Sequence, residues 1–211
     1  MTDEIWEFFQ EFFQDVLGTA DAEGRYAEDS FFDLFCEQLT EAGELETADR
    51  AQYLSQRGVR VDGYGGDPAD SDGVLSLIIA DFNQSSEIAT LTATDMDAIF
   101  KRLSNFLDKA LDEAFRNGLE ETLPAFGLAD MIAKRWTGVT KVRLFLISNR
   151  VLSSRVDGKD AGELQGKPVT YSVWDLGRLQ RYVASGQGRE DIEIDLEKDF
   201  GGPLSALPAH L

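Results

Sequence analysis

Two aspartates carry the first chemical signal in the chain. Asp62 ends the strand-like run VRVD, and Asp81 ends the run LSLIIAD. An ionised carboxylate in or beside a buried apolar strand is costly unless it is paired or binds a metal. At the ends of consecutive strands, two such groups can meet at one sheet edge. There they could hold Mg²⁺ or Mn²⁺, hard cations that take oxygen ligands, and the ion would activate water for a phosphodiester displacement. The competing reading is structural: each aspartate caps its own turn, a view that gains if the two project apart. The single histidine, His210, lies at the extreme C-terminus. This excludes a Ser-His-Asp triad, a Cys-His pair, an HExxH helix and a His-based zinc deaminase site within this chain. The lone Cys36 allows neither an internal disulfide nor a thiolate zinc site, and it reads as a small packed hydrophobe. Hydrolytic chemistry here falls to carboxylates.

The elements that must position these acids follow from hydrophobic period. Residues 3–17 read as an amphipathic helix, with Trp6, Phe9, Phe13, Val16 and Leu17 near helical spacing and Phe8 and Phe12 widening the apolar face. So wide a face must be buried, on this domain or on a partner. Residues 27–42 read as a second helix, with Phe31, Phe32, Phe35 and Leu39 inward and Gly43 as a C-terminal stop. The period then changes to that of strands: RGVRVDGYGG, the turn-forming loop DPADSDG, and VLSLIIADF, apolar enough to be buried on both faces. The loop's acids miss the spacing of a calcium loop. Gly63, Gly65 and Gly66 form neither GxGxxG nor a P-loop. A long helix is expected over 94–117, capped by Thr94 and stopped at Asn117-Gly118, then a shorter helix over 126–136 and a strand over 141–148. GKPVTYSVWDL holds another strand, and Asp175 caps a helix to about Ala184 with Leu176, Leu179, Tyr182 and Val183 inward. DIEIDL alternates as a half-exposed strand. Trp136, Tyr171 and Trp174 read mainly as core residues, with base stacking the alternative. The organisation expected is an N-terminal helix and loop over 1–25, an α/β domain over 26–197, and a linker over 198–211 leading towards a C-terminal region of a longer protein.

Charge bears on partners. The chain has 211 residues and a formal net charge of −19, which opposes tight nucleic-acid binding because phosphate neutralisation needs clustered Lys and Arg. The distribution is uneven. Residues 1–50 hold fifteen acids and two arginines, whereas residues 131–185 hold ten Lys/Arg and four acids. That allows a local basic surface, including Arg178 and Arg181, or a mixed solvated one. No apolar run approaches the roughly 20 residues of a membrane span, and the acidic N-terminus lacks a signal peptide's basic region. A cytoplasmic protein with no membrane association is expected.

The order helix, strand with Asp62, turn, strand with Asp81, long helix, strand resembles the PD-(D/E)xK restriction-endonuclease-like core, a central mixed β-sheet flanked by helices. That resemblance implies Asp62 as the first acid and Asp81-Phe82-Asn83 as the D/E-x-K triplet, with Asp81 and the Phe82 carbonyl on the metal. Glu41 would be the extra acid that some members place on the first helix. Asn83 departs from the pattern, since a neutral amide cannot supply the lysine's charge. Lys101 on the following helix is the candidate substitute, and its alternative is an ordinary surface lysine. A second resemblance is more specific. RVDGYGGD, IIADFN, LPAFGLADMIAKRW and the run from KVRLFLISNRVLSSRV to the C-terminus resemble the N-terminal region of AIPR (abortive infection phage resistance) proteins, from about residue 30 onward. This implies a nuclease-like module of a longer antiphage protein. Two functions follow as expectations: a Mg²⁺- or Mn²⁺-dependent nuclease acting on DNA or RNA, or a catalytically degenerate module that binds nucleic acid or protein, or forms a homodimer through its aromatic N-terminal helix.

Overall fold

The computed structural model describes residues 3–153 and 159–186. The strand read in DIEIDL, the linker over 198–211 and His210 lie outside them. In the described residues a six-stranded mixed sheet is sandwiched between two helical layers. The elements in chain order are α1 (Asp3–Glu23), α2 (Ala27–Glu41), β1 (Asp49–Ser55), β2 (Val59–Tyr64), β3 (Val74–Asp81), β4 (Thr90–Leu91), α3 (Ala93–Ala110), α4 (Glu113–Asn117), α5 (Pro124–Arg135), β5 (Lys141–Ser148), β6 (Val151–Leu152), β7 (Gly162–Leu164), β8 (Lys167–Trp174) and α6 (Leu176–Ala184). The sheet runs β1-β2-β3-β5-β8-β7, and β4 pairs with β6 separately. β1, β2 and β3 form an antiparallel meander, β3, β5 and β8 run parallel, and β7 returns antiparallel on β8.

Strand alternation divides the core in two. Leu75, Leu77 and Ile79 of β3 and Val142, Leu144 and Leu146 of β5 face α3 and α5, meeting Phe100, Leu103, Leu107, Leu128 and Ile132. Ile78 and Ala80 of β3 and Phe145 and Ile147 of β5 face the other way, onto Phe31, Phe32, Phe35 and Leu39 of α2 and Leu179 of α6. β3 is apolar on both faces because helices cover both. α1 extends further than its sequence pattern indicated, to Glu23, and it is part of this second layer. Its Phe9, Phe13 and Val16 are buried, and Val16 belongs to the same cluster as Phe31. Trp6 and Leu17, read as inward, are exposed. So is Val183 on α6. Trp174 is buried, and Trp136 and Tyr171 pack against the α3-side core.

The N-cap of the long helix lies two residues earlier than expected. Thr92, not Thr94, is the N-cap: its hydroxyl accepts from the Asp95 N–H at 3.2 Å, and the Asp95 carboxylate accepts from the Thr92 N–H at 3.2 Å. The helix ends at Ala110, and α4 restarts with Asp112 capping Ala114. Thr92→Ala is expected to cost about 1 kcal/mol, measured by urea denaturation at neutral pH. The same hydroxyl is the main cause of the lowered Asp95 pKa. A lowered carboxylate pKa gives stability that is present above the unfolded value and lost as pH falls through the folded one, so the difference should shrink in acid. No helix among the described residues is long and apolar enough to cross a membrane.

Candidate functional site

Asp62 lies where the sheet is irregular. β1–β2 pairing shifts register between Arg50 and Tyr53, opposite Asp62. Val61 faces the α3-side core. Gly63 faces α2, where an added Cβ would stand 2.3 Å from Phe32 Cζ. Asp62 lies on the α2 side as well, in a narrow crevice with Glu28, Asp29 and Phe32 of α2, Arg50 and Gln52 of β1, Arg60, Ala80 and Phe82. Direct β2–β3 residue pairing is confined to Gly63 with Ile78 and Tyr64 with Leu77. Towards the start of β2, side chains take over the ladder. The Asp62 carboxylate accepts from the Ala80 N–H at 2.8 Å, and Arg60 Nη2 donates to the Ala80 carbonyl at 2.7 Å. Arg60 Nε closes the motif on both Asp62 oxygens at 3.1 and 2.9 Å. Burial pushes the Asp62 carboxyl up from its ordinary value; Arg60, the Ala80 N–H and the more distant Arg102 of α3 oppose that rise.

Asp81 turns the other way. Its neighbours Ala80 and Phe82 belong to the α2-side cluster, so strand alternation sends Asp81 to the α3 side. There it accepts from Ser148 Oγ at 2.8 Å and from Arg150 Nε at 2.7 Å. Arg150 also reaches Asp95 in the first turn of α3 at 3.1 Å. The two aspartates are thus brought to adjacent strands, with Asp62 bonded to the residue before Asp81, but each carboxylate is neutralised by a different arginine on a different face.

The remaining predicted residues are dispersed. Asn83 follows the end of β3; its side chain accepts from the Ser85 N–H at 2.9 Å, and its backbone exchanges hydrogen bonds of 2.7 and 2.8 Å with the buried Asn149 amide. Lys101 is exposed on α3, and the α3 cation whose field reaches Asp62 is Arg102. Phe82 packs its ring between Phe13 and Phe31, with centroids at 5.9 and 5.0 Å. Glu41 is exposed at the far end of α2. Thirteen residues separate it from Glu28, about 20 Å at the helical rise. The α2 acids in the Asp62 crevice are Asp29, which pairs with Arg50, and Glu28, whose carboxylate accepts from Gln84 Nε2 at 2.5 Å. Only their position in the first turn of the helix could have singled them out. Cys36 is buried, and burial pushes its thiol well up, the mark of a structural rather than reactive cysteine.

The donors at Asp62 do not fit a Mg²⁺ or Mn²⁺ ion. Both of its oxygens already accept charge-assisted or backbone hydrogen bonds. The β3 residues on its side are Ala80 and Phe82, which offer no carboxylate and no ammonium. Among the described residues no three Asp, Glu, His or Cys side chains converge as a metal would require.

A family model described as the abortive infection phage resistance protein N-terminal domain matches residues 31–181. The chain belongs to this family. The AIPR N-terminal domain match takes in α2 from its second turn, the whole sheet and most of α6, and it associates the chain with phage resistance by abortive infection. No curated protein and no solved structure matches the chain. Within the AIPR region, the basic segment noted in the sequence is largely neutralised by acids from elsewhere. Arg135 pairs with Asp67, Lys134 with Asp130, Arg143 and Arg178 with Glu44, Arg150 with Asp81 and Asp95, and Lys159 with Asp97.

Proposed function

We propose that this AIPR N-terminal domain acts in antiphage defence as a non-hydrolytic interaction module on a restriction-endonuclease-like scaffold. The order of α2, the β1-β2-β3 meander, α3 and the parallel β5 supports the scaffold. The single observation that carries the loss of catalysis is the pair Ala80 and Phe82. They occupy the side of β3 that faces Asp62, where a metal-dependent phosphodiesterase needs a second acid and a cation. Arg60 then serves Asp62 as a structural counter-ion. The pairing of most of the basic segment within the fold supports a protein partner over nucleic acid, because a phosphate backbone is bound by cations free to meet it. The region that follows in a longer protein and a second copy of this chain are the partners that reading favours.

A cleavage assay tests it, on supercoiled plasmid and on structured RNA, with Mg²⁺, Mn²⁺ or EDTA. The expected result is no metal-dependent cleavage by the wild type, and no retardation of either nucleic acid at physiological salt. Metal-dependent cleavage that is lost in Glu28→Gln or Asp81→Ala, with the fold intact by circular dichroism, would overturn it and restore the nuclease reading. Asp62→Asn serves as a third arm.

A further inference from the structure

The α2-side helices cover only part of the sheet. Gly63, Ile78 and Phe145 lie beneath α2, but the next transverse row of side chains does not. That row runs Gly65, Ser76, Arg143, Thr170 across β3, β5 and β8 and onto the residue after β2. It forms the floor of a groove of about 620 Å³, walled by Gly43–Glu46 after α2 and by Ser71 and Asp72 before β3, with Lys141 and Ser172 at its ends. This is within the usual size range of small-molecule sites.

The floor is polar where a sheet face would ordinarily be apolar. Ser76 is 6% exposed, and its hydroxyl, which lines the groove, has no hydrogen-bond partner among the described residues. The same is true of the hydroxyls of Thr170 and Ser172 and of the Lys141 ammonium. The Ser76 oxygen opens onto the groove, so its hydroxyl is available to a ligand seated there. Gly65 keeps the floor open, since a Cβ there would stand 2.9 Å from Ser76 Cβ. Arg143 is held in place by stacking 4.7 Å above Phe145 and by donating to the Glu44 carbonyl and carboxylate at 2.9 and 2.8 Å. Arg178 takes the other Glu44 oxygen at 3.1 Å, so Glu44 is neutralised. Glu46 keeps one carboxylate oxygen free while the other accepts from Ser71 Oγ at 3.3 Å.

We infer that this groove binds a phosphorylated sugar, free or as part of a mononucleotide. Lys141 supplies the cation and the Thr170 and Ser172 hydroxyls the donors for a phosphate monoester, while Arg143, committed to Glu44, shapes the floor. Glu46 and Asp72 accept from sugar hydroxyls, and Ser76 completes the floor. The mixed signs of the lining suit a ligand that is both anionic and rich in hydroxyls, not a bare anion. The site lies away from the Asp62 crevice, so the inference stands or falls independently of whether that crevice hydrolyses anything.

Isothermal titration of the whole chain with ribose 5-phosphate, AMP and inorganic phosphate tests it, beside Ser76→Ala and Lys141→Gln. The expected result is saturable binding of at least one organic ester, at least about tenfold tighter than inorganic phosphate. Each substitution should weaken it about tenfold, as loss of a hydrogen bond to a charged group does, without changing the thermal midpoint. Tighter binding of AMP than of ribose 5-phosphate would assign the groove to nucleotides, and equal binding would assign it to the sugar phosphate alone. No saturable binding of either ester, binding no tighter than that of inorganic phosphate, or indifference to either substitution would overturn the inference.

Discussion

Arg60→Met should lower the stability of this domain by about 3 kcal/mol, one of the two largest effects expected of a single side chain here. Removing one partner of a buried pair costs about 3–5 kcal/mol because the other charge is left uncompensated; the low end applies since the Arg60 side chain is 22% exposed and solvent screens part of the loss. The variant also strips the Ala80 carbonyl of its donor. For a domain of this length the thermal midpoint should fall by about 10 °C. The effect should depend on pH in a definite direction. Burial raises the Asp62 pKa in the folded state and Arg60 opposes the rise; without Arg60 it rises further. A raised carboxyl pKa means that the folded state holds the proton more tightly. The stability tied to that proton is present below the unfolded carboxylate value and lost as pH rises through the folded one. The gap between variant and wild type should therefore be narrower at about pH 5 than at about pH 8. Equal gaps at both would show that Asp62 is not the group left unpaired.

Phe31→Ala is expected to cost about 4 kcal/mol, within the range for a fully buried phenylalanine. Its ring is wholly buried and meets Phe35 at 5.5 Å, Phe82 at 5.0 Å and Phe12 at 6.1 Å. It joins α1, α2 and the end of β3 in one aromatic cluster, so the cavity left behind cannot collapse from one side alone. Guanidinium denaturation with tryptophan fluorescence measures it. A loss below about 1 kcal/mol would mean that the α1–α2 layer is not packed on the sheet as described.

What the sequence made legible follows from where its patterns have a phase. β5 is read to the residue, because KVRLFLIS is long, apolar and bounded by Thr140 and Asn149. The helix caps at Asp175 and near Thr92 are readable, but Thr92 and Thr94 both have an aspartate three residues on. Only the burial of Leu91 in β4 decides between them. β1 escapes notice because DRAQYLS has no apolar run and is a bulged edge strand. The placement of the acids fails for a related reason. VLSLIIAD is apolar on both faces, so its composition carries no phase, and the direction in which Asp81 points cannot be read from it. The β1 irregularity then turns Asp62 and Gly63 to one side, which no alternation rule anticipates. Asp62 itself, and its need for a partner, was visible; that the partner is two residues away in the same strand was not.

The ring of Phe82, stacked on Phe13 and tilted against Phe31, also bears on how this side of β3 could change. If a nuclease lies behind this scaffold, the way back is closed to single steps. A lysine at 82 would put an ammonium among phenylalanine rings unless a carboxylate were already waiting at 80. A carboxylate at 80 would stand beside Asp62, whose charge Arg60 already compensates, so two acids would share that one arginine. Neither reversion alone supplies both the acid and the cation. On that reading, a return to catalysis would need changes at 80 and 82 together, not at either one alone.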